Sequence, residues 1–139
     1  MAADRIPRAG IAEMIDRCGR LLAGDEDDAR LAMDRLEYDL HVDCIGHARN
    51  VELPRALKIS NCMLYAGKHI QAAVGREGDP VPSMVREHRD ILVALAVGAI
   101  EDAASALVHH LEMSRGRSEI RLRKFLESNP CYEVDYVSA

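Results

Sequence analysis

The 139-residue sequence has only four cysteines and shows no excess of basic residues. Its four cysteines form no CxxC motif, which argues against a zinc ribbon or a disulfide framework and for reduced thiols. The 18 lysines and arginines are outnumbered by 23 aspartates and glutamates, for a net charge of -5. Because nucleic-acid binding requires concentrated positive charge, we expect this chain alone to be a poor binder of phosphate backbones.

Long apolar runs are missing as well. No segment reaches the ~20 apolar residues that a membrane-spanning helix requires, and the N-terminal MAADRIPRAG lacks the apolar core of a signal peptide. We therefore expect a cytoplasmic protein with no membrane association. A chain of this length is predicted to form one domain with a genuine core.

Apolar residues recur at intervals of three and four along most of the sequence, the spacing of helices with one buried face. The sequence contains no internal repeat and no convincing strand pattern. The fold class is therefore predicted to be all-α, a bundle of about six helices. The predicted helices cover roughly 11–22, 29–49, 53–74, 83–97 and 100–114, with a last one in EIRLRKFLE. Gly24 and Gly98 are expected to end the first and fourth helices, and the acidic DEDD at 25–28 is expected to open the second. One side of the fifth helix is expected to carry Ala103, Ala106, Leu107, His110 and Leu111.

Three of the six histidines fall on the inward faces of different predicted helices. Glu37 and His41 lie four residues apart and share one face, while His88 and His110 lie on the apolar stripes of the fourth and fifth helices. A lone inward histidine is usually a satisfied core residue, but burying this set without an ion would be costly. The pattern predicts one divalent transition metal, with zinc expected first and nickel, iron or manganese as alternatives.

The motifs of catalytic helical bundles are absent from the sequence. Di-iron bundles use Glu-x-x-His on two helices, and zincins use HExxH; neither motif occurs. Glu87 is the only carboxylate close enough in sequence to serve as a general base, and on a helix it is expected to point away from its neighbour His88. The sequence therefore predicts a metal site without catalytic machinery, so the protein is not expected to be an enzyme.

Two segments resemble the signatures of the FCD ligand-binding domain of bacterial GntR-type transcription regulators of the FadR subfamily. LHVDCIGHARN, at 40–50, is similar to F-H-x-x-(I/L)-x-x-x-x-x-N, with Leu40 in place of the usual Phe. EHRDILVALAVGAIEDAASALVHHL, at 87–111, is similar to E-H-x-x-I-L-x-A-(I/L)-x-x-G-D-x-x-x-A, with Ala99 in place of the Asp after Gly98. Both motifs, in order and at the right separation, make the match fairly specific.

The resemblance implies an antiparallel bundle of six or seven helices, a central divalent metal and a small carboxylate effector that completes the coordination. In metal-binding members the ligands are an Asp four residues before the first His, that His, and two His of the second signature. These positions correspond to Glu37, His41, His88 and His110, the set that the residues had already indicated. Glu37 keeps the charge of the aspartate and adds a methylene. The resemblance also implies a homodimer.

The domain is expected to span residues 1–127, with a tail at 128–139. No winged-helix DNA-binding domain is recognised in this sequence, so DNA contact is expected only through a domain that this chain lacks. The chain is interpreted either as an excised effector domain or as a free-standing protein that never touches DNA.

A polar face of the third predicted helix is the candidate effector-binding surface, formed by Asn61, Tyr65, Lys68 and His69. These residues offer amide, phenol, ammonium and imidazole donors to a carboxylate, although a simply solvated face is an equal alternative. His47 and His109 are expected outside the core, as surface residues or boundary packing. The arginines of SRGRSEIRLRK, at 114–124, are expected as solvated charge near the end of the bundle, with dimer contact or domain docking as the alternative. Three function classes stay open: an organic-acid sensor, a metal-assisted enzyme, and a structural dimerising bundle.

Overall fold

The computed structural model describes residues 7–44, 47, 52, 66–67, 69–70, 72–74 and 81–129. The continuously described segments, 7–44 and 81–129, form four α-helices and one π-helical turn, and no described residue lies in a strand, so the predicted all-α class is confirmed. In chain order the elements are α1 (Arg8–Ala23), α2 (Ala29–Tyr38), the π turn (Asp39–Asp43), α3 (Val81–Ala96) and α4 (Ile100–Ser128). The predicted third helix lies mostly outside the described residues, although 66–67, 69–70 and 72–74 are helical.

Local capping explains where the first helices begin and end. Gly24 ends α1 in the left-handed conformation, with φ 77°, which glycine adopts without steric cost. The Asp28 side chain accepts a hydrogen bond of 2.9 Å from the Leu31 N–H and so caps the start of α2. The acidic cluster therefore opens the second helix, as its charge predicted.

Helix α3 also ends at a left-handed glycine, at the predicted place. Gly98 has φ 75°, and the Ala99 N–H donates to the Ala94 carbonyl at 2.9 Å across the turn, which is the bonding of a Schellman motif. Three residues therefore suffice to join α3 to α4 as a helical hairpin. Ala99 provides no side-chain cap for α4, in keeping with its replacement of the family's Asp.

The last two predicted helices are in fact one. Helix α4 is continuous over 29 residues and passes through SRGR, where the sequence pattern predicted a break. Gly116 inside it is helical rather than left-handed, so it weakens the helix without ending it. The half-buried positions after 113 continue the three-and-four spacing that starts at Ala103, and this packing holds the helix together.

Helix α3 packs against both α1 and α4, and α2 packs against α1. Buried apolar side chains of α1, α2, the π turn and α3 form one cluster: Ile11, Met14, Cys18, Met33, Leu36, Leu40, Val85, Ile91 and Leu92. We call this the apolar cluster. It fixes the relative positions of the segments that carry the candidate ligands.

The inward face of α4 differs in part from the prediction. Ala103 and His110 are buried as predicted, but Leu107 and Leu111 are exposed. Positions 103 and 110 are buried and position 106 is half-buried, and residues one position further on rotate away from α3. No helix in the described residues is both long and apolar enough to cross a bilayer.

Candidate metal centre

Three histidines from three different elements meet inside the fold. His41 lies in the π turn, His88 in α3 and His110 in α4. Their ring centroids are 4.4 Å apart for His88 and His110, 5.3 Å for His41 and His110, and 5.6 Å for His41 and His88. One nitrogen from each ring lies within 4.8 Å of the other two. The chain thus presents three imidazoles to a single small volume.

Glu37 lies against two of these rings. One of its oxygens is 3.4 Å from His41 Nε2 and the other is 3.3 Å from His88 Nε2. The carboxylate therefore bridges the α2 and α3 sides of the cluster. It is 27% exposed and His41 is 18% exposed, whereas His88 is fully buried. Within the described residues, solvent thus reaches the cluster from the side of Glu37 and His41.

The π turn sets the position of His41. The Cys44 N–H bonds to the carbonyl of Asp39, five residues earlier, instead of four. Such an insertion rotates the side chains relative to a regular α-helix, and π turns are frequent at functional sites. Asp39 is itself held by Arg17 of α1, whose Nη1 lies 2.6 Å from the carboxylate. Helix α1 therefore anchors the turn that carries His41.

His88 has two ring nitrogens that make no hydrogen bond to any described residue. The Glu37 oxygen at 3.3 Å is within ion-pair distance, but its geometry does not make a hydrogen bond. Burial, together with repulsion from His110 and His41, lowers the pKa of His88 to about 3. The imidazole is therefore neutral at physiological pH, with a lone pair available. Leaving such a group unsatisfied in a core costs free energy.

His110 has a different environment on the opposite side. Its Nδ1 lies 2.9 Å from Oε2 of Glu87, and both Glu87 oxygens accept hydrogen bonds of 2.8 Å from the fork of Arg117. All three side chains are at least nine-tenths buried. Because an ionised carboxylate only accepts, this contact is a hydrogen bond in the tautomer that has its proton on Nδ1 of His110. In that tautomer Nε2 is the free nitrogen.

The pKa values of this group follow from burial and pairing. Burial acts to raise the pKa of Glu87, but the hydrogen bonds from Arg117 and His110 outweigh it and hold that pKa below its usual value. Burial lowers the pKa of His110 and of His41. At neutral pH the cluster therefore contains an ionised Glu87 and three neutral imidazoles.

The donor set fits a divalent first-row transition metal. Neutral imidazole nitrogens with one carboxylate are the ligands that such ions accept, and the unpartnered nitrogens of buried His88 are what a metal would satisfy. The Glu87 contact to Nδ1 of His110 matches the outer carboxylate that commonly orients a ligating histidine. If an ion binds, His41, His88 and His110 can hold it with Glu37 beside them.

The other predicted site residues have different placements. Asn61, Tyr65 and Lys68 lie outside the described residues, and His69 is exposed on a helical segment. His109 is exposed and His47 is half-buried, which agrees with the predicted placement of both outside the core. A cleft of about 440 Å³ lies on another side of the π turn, and none of the four candidate ligands lines it.

Sequence reasoning missed two residues of the site. Glu87 was expected to point away, yet it is buried and bonded to His110. Arg117 was expected as solvated charge, yet its side chain is only 10% exposed and pairs with Glu87. Adjacent Glu87 and His88 can both be buried because α3 packs on two sides. The only sequence signal for Arg117 was its spacing of seven residues from His110, which puts both on one helical face.

The comparisons with known proteins give one finding. A family model described as FCD domain matches residues 1–113. Comparisons with curated proteins and with solved structures gave no match.

Proposed function

The chain belongs to the FCD domain family, the C-terminal effector-binding domains of GntR- and FadR-type regulators, and we propose that it senses a small organic acid through a bound divalent metal. The proposed ligands are Glu37, His41, His88 and His110, and zinc is the proposed ion. The observation that carries the proposal is the fully buried His88, whose ring nitrogens have no hydrogen-bond partner among the described residues.

The exposure of the cluster supports an effector that enters from one side. His88 and His110 lie deep in the core, while Glu37 and His41 remain partly exposed. An organic acid arriving from solvent would meet the metal on this open side, where the ion supplies a charge that a carboxylate seeks. The face at Asn61, Tyr65, Lys68 and His69 stays our prediction for the far end of the effector.

In a full-length regulator, effector binding would act by shifting the population between two domain arrangements. The homodimer that the family implies is the natural element for such a shift. DNA contact would come from a separate winged-helix domain. Light scattering of the purified chain tests the dimer, and a monomer at micromolar concentration would contradict it.

The geometry does not favour an enzyme. Glu87, the nearest candidate for a general base, has both oxygens bonded to Arg117 and one also to His110. Its pKa lies below the usual value, so it is a poor acceptor for a proton near neutral pH. The regulatory family fits this interpretation.

Elemental analysis and melting curves test the metal. We expect about one equivalent of a transition metal per chain and a marked loss of thermal stability on chelation, because an ion that binds only the folded state stabilises it by mass action. His88→Ala should retain no metal. His109→Ala is the matched control, since His109 is exposed beside His110, and should bind like wild type. Full metal retention by His88→Ala would refute the ligand assignment.

A thermal-shift screen of organic acids tests the effector. Citrate-like and hydroxy acids should raise the melting temperature of the metal-loaded protein, without being consumed, and should leave the metal-free protein unchanged. Lys68→Ala should weaken this response without removing the metal. An equal shift in both metal states would mean that the acids bind elsewhere.

A further inference from the structure

We propose that Glu87 and Arg117 are positioning residues for His110, and that they decide which ring nitrogen His110 presents to the other two histidines. The functional meaning of this proposal rests on the metal site proposed above. The contacts that carry it lie within the chain itself.

The first step is the pairing of Glu87 with His110. The 2.9 Å contact joins the carboxylate to Nδ1, and an ionised carboxylate can only accept a hydrogen bond. The neutral ring then has its proton on Nδ1 and its lone pair on Nε2. Of the two tautomers, Glu87 stabilises the one that leaves Nε2 free to bind a metal.

The second step is the ion pair between Arg117 and Glu87. Two parallel hydrogen bonds of 2.8 Å join the guanidinium to the two carboxylate oxygens. This fork geometry fixes the plane of the carboxylate as well as its charge. Because the carboxylate is only 7% exposed, it would be costly to keep ionised without such a partner. Arg117 therefore maintains the group that orients His110.

The third step is the continuity of α4. Arg117 follows His110 by two turns on the same face, and it reaches Glu87 only because α4 continues through Gly116. The segment after Ser114 thus supports the histidine cluster directly. A break in the helix at SRGR would separate Arg117 from the site.

Metal affinity provides the first test, with Co²⁺ as the probe. Glu87→Gln should weaken Co²⁺ binding about 10- to 100-fold in chelator competition, the usual effect of losing an outer carboxylate, and should alter the Co²⁺ absorption spectrum. Arg117→Ala should weaken binding by a smaller factor. Arg115→Ala is the matched control, because Arg115 lies on the same helix but is 77% exposed, and should bind like wild type. Wild-type affinity and spectrum in Glu87→Gln would overturn the proposal.

The histidine tautomer provides a second test that needs no metal. In ¹⁵N-histidine spectra of the chelator-treated protein at neutral pH, His110 should carry its proton on Nδ1. Glutamine at position 87 can donate or accept, so Glu87→Gln should lose this preference, while Arg115→Ala keeps it. A proton on Nε2 of His110 in the wild type would overturn the proposal.

The two tests separate this proposal from the metal function. If the wild type binds no Co²⁺, the proposed metal function fails, and the tautomer of His110 alone decides the role of Glu87. If Glu87→Gln does not fold, Glu87→Gln combined with Arg117→Met removes both charges together, which avoids leaving Arg117 unpaired. A double variant with the wild-type tautomer of His110 would refute the positioning role.

Discussion

Helix α3 contributes side chains to two buried clusters. The clusters differ in whether their side chains need hydrogen-bond partners and have them. The apolar cluster consists of side chains that need only close packing. The histidine cluster, formed by His41, His88 and His110 with Glu37 and Glu87, consists of polar groups that need hydrogen-bond partners. Only some of these groups have such a partner. His110 is bonded to Glu87, whereas His88, equally buried, has no hydrogen-bond partner for either ring nitrogen among the described residues. Burial of His88 without a partner therefore lowers the stability of the fold, as expected at a functional site.

Truncation of the apolar cluster should give the largest effect. Leu92→Ala removes a fully buried side chain and should cost ~2–5 kcal/mol of unfolding free energy through lost burial and a cavity. The loss should be equal with and without metal, because Leu92 offers no ligand. Val93→Ala, at an exposed neighbouring position, should cost much less. A Leu92→Ala loss confined to the metal-loaded form would contradict the separation of the two clusters.

Acidification should lower the stability of the metal-free protein by protonating its histidine cluster. The pKa of His88 is about 3 when folded against 6.5 for an unperturbed histidine. Between these values the unfolded chain binds a proton that the folded chain does not, so stability is intact above about pH 6.5 and falls as the pH drops toward 3. Glu37, Glu87, His41 and His110 face the same volume.

Denaturant unfolding across this pH range, compared between wild type and His88→Leu, isolates the part due to His88. The stability of the wild type should fall more steeply than that of the variant. Parallel curves would show that His88 is not the group responsible.

Replacing the unsatisfied histidine should separate stability from function. His88→Leu puts an apolar side chain of similar volume at a fully buried position. Because an unpaired buried polar group costs ~1–3 kcal/mol, the metal-free variant should be more stable than metal-free wild type by about that amount. It should gain nothing from added zinc. A variant less stable than metal-free wild type would show that His88 has a partner that compensates its burial.

Glycine substitutions in α4 and before it should give the smallest effects. Gly116 is helical and has open space where a Cβ would lie, so Gly116→Ala should stabilise by ~0.5–1 kcal/mol and strengthen the segment that carries Arg117. Gly98→Ala is the opposite control, because its φ of +75° strains any other residue. Melting temperatures should move in opposite directions. A shift of the same sign in both variants would contradict the helical role of Gly116.

Much of the fold and of the candidate site was predictable. The ends of α1 and α3 followed from Gly24 and Gly98, and the start of α2 followed from the acidic cluster at Asp28, because capping depends on residues close in sequence. The inward histidines followed from helical periodicity, which shows the buried face without a structure. The effector face at Asn61, Tyr65 and Lys68 stays a prediction.

The predictions that were wrong share one cause. Glu87 and Arg117 are withdrawn from solvent because they pair with each other across 30 residues of sequence. No local pattern in the sequence shows such pairing. The continuity of α4 through Gly116 depends likewise on packing against α3, which outweighs the weak helix propensity of glycine.

The sequence by itself determined the helical class, the capped helix ends and the inward placement of His88 and His110, since each depends on short-range spacing and backbone chemistry. Only the tertiary structure decided that Glu87 would bond to His110, that Arg117 would hold Glu87, and that His88 would have no such partner. Those outcomes depend on which side chains of separate helices meet once the apolar cluster has packed, and a buried polar group is satisfied or left unsatisfied only at that stage.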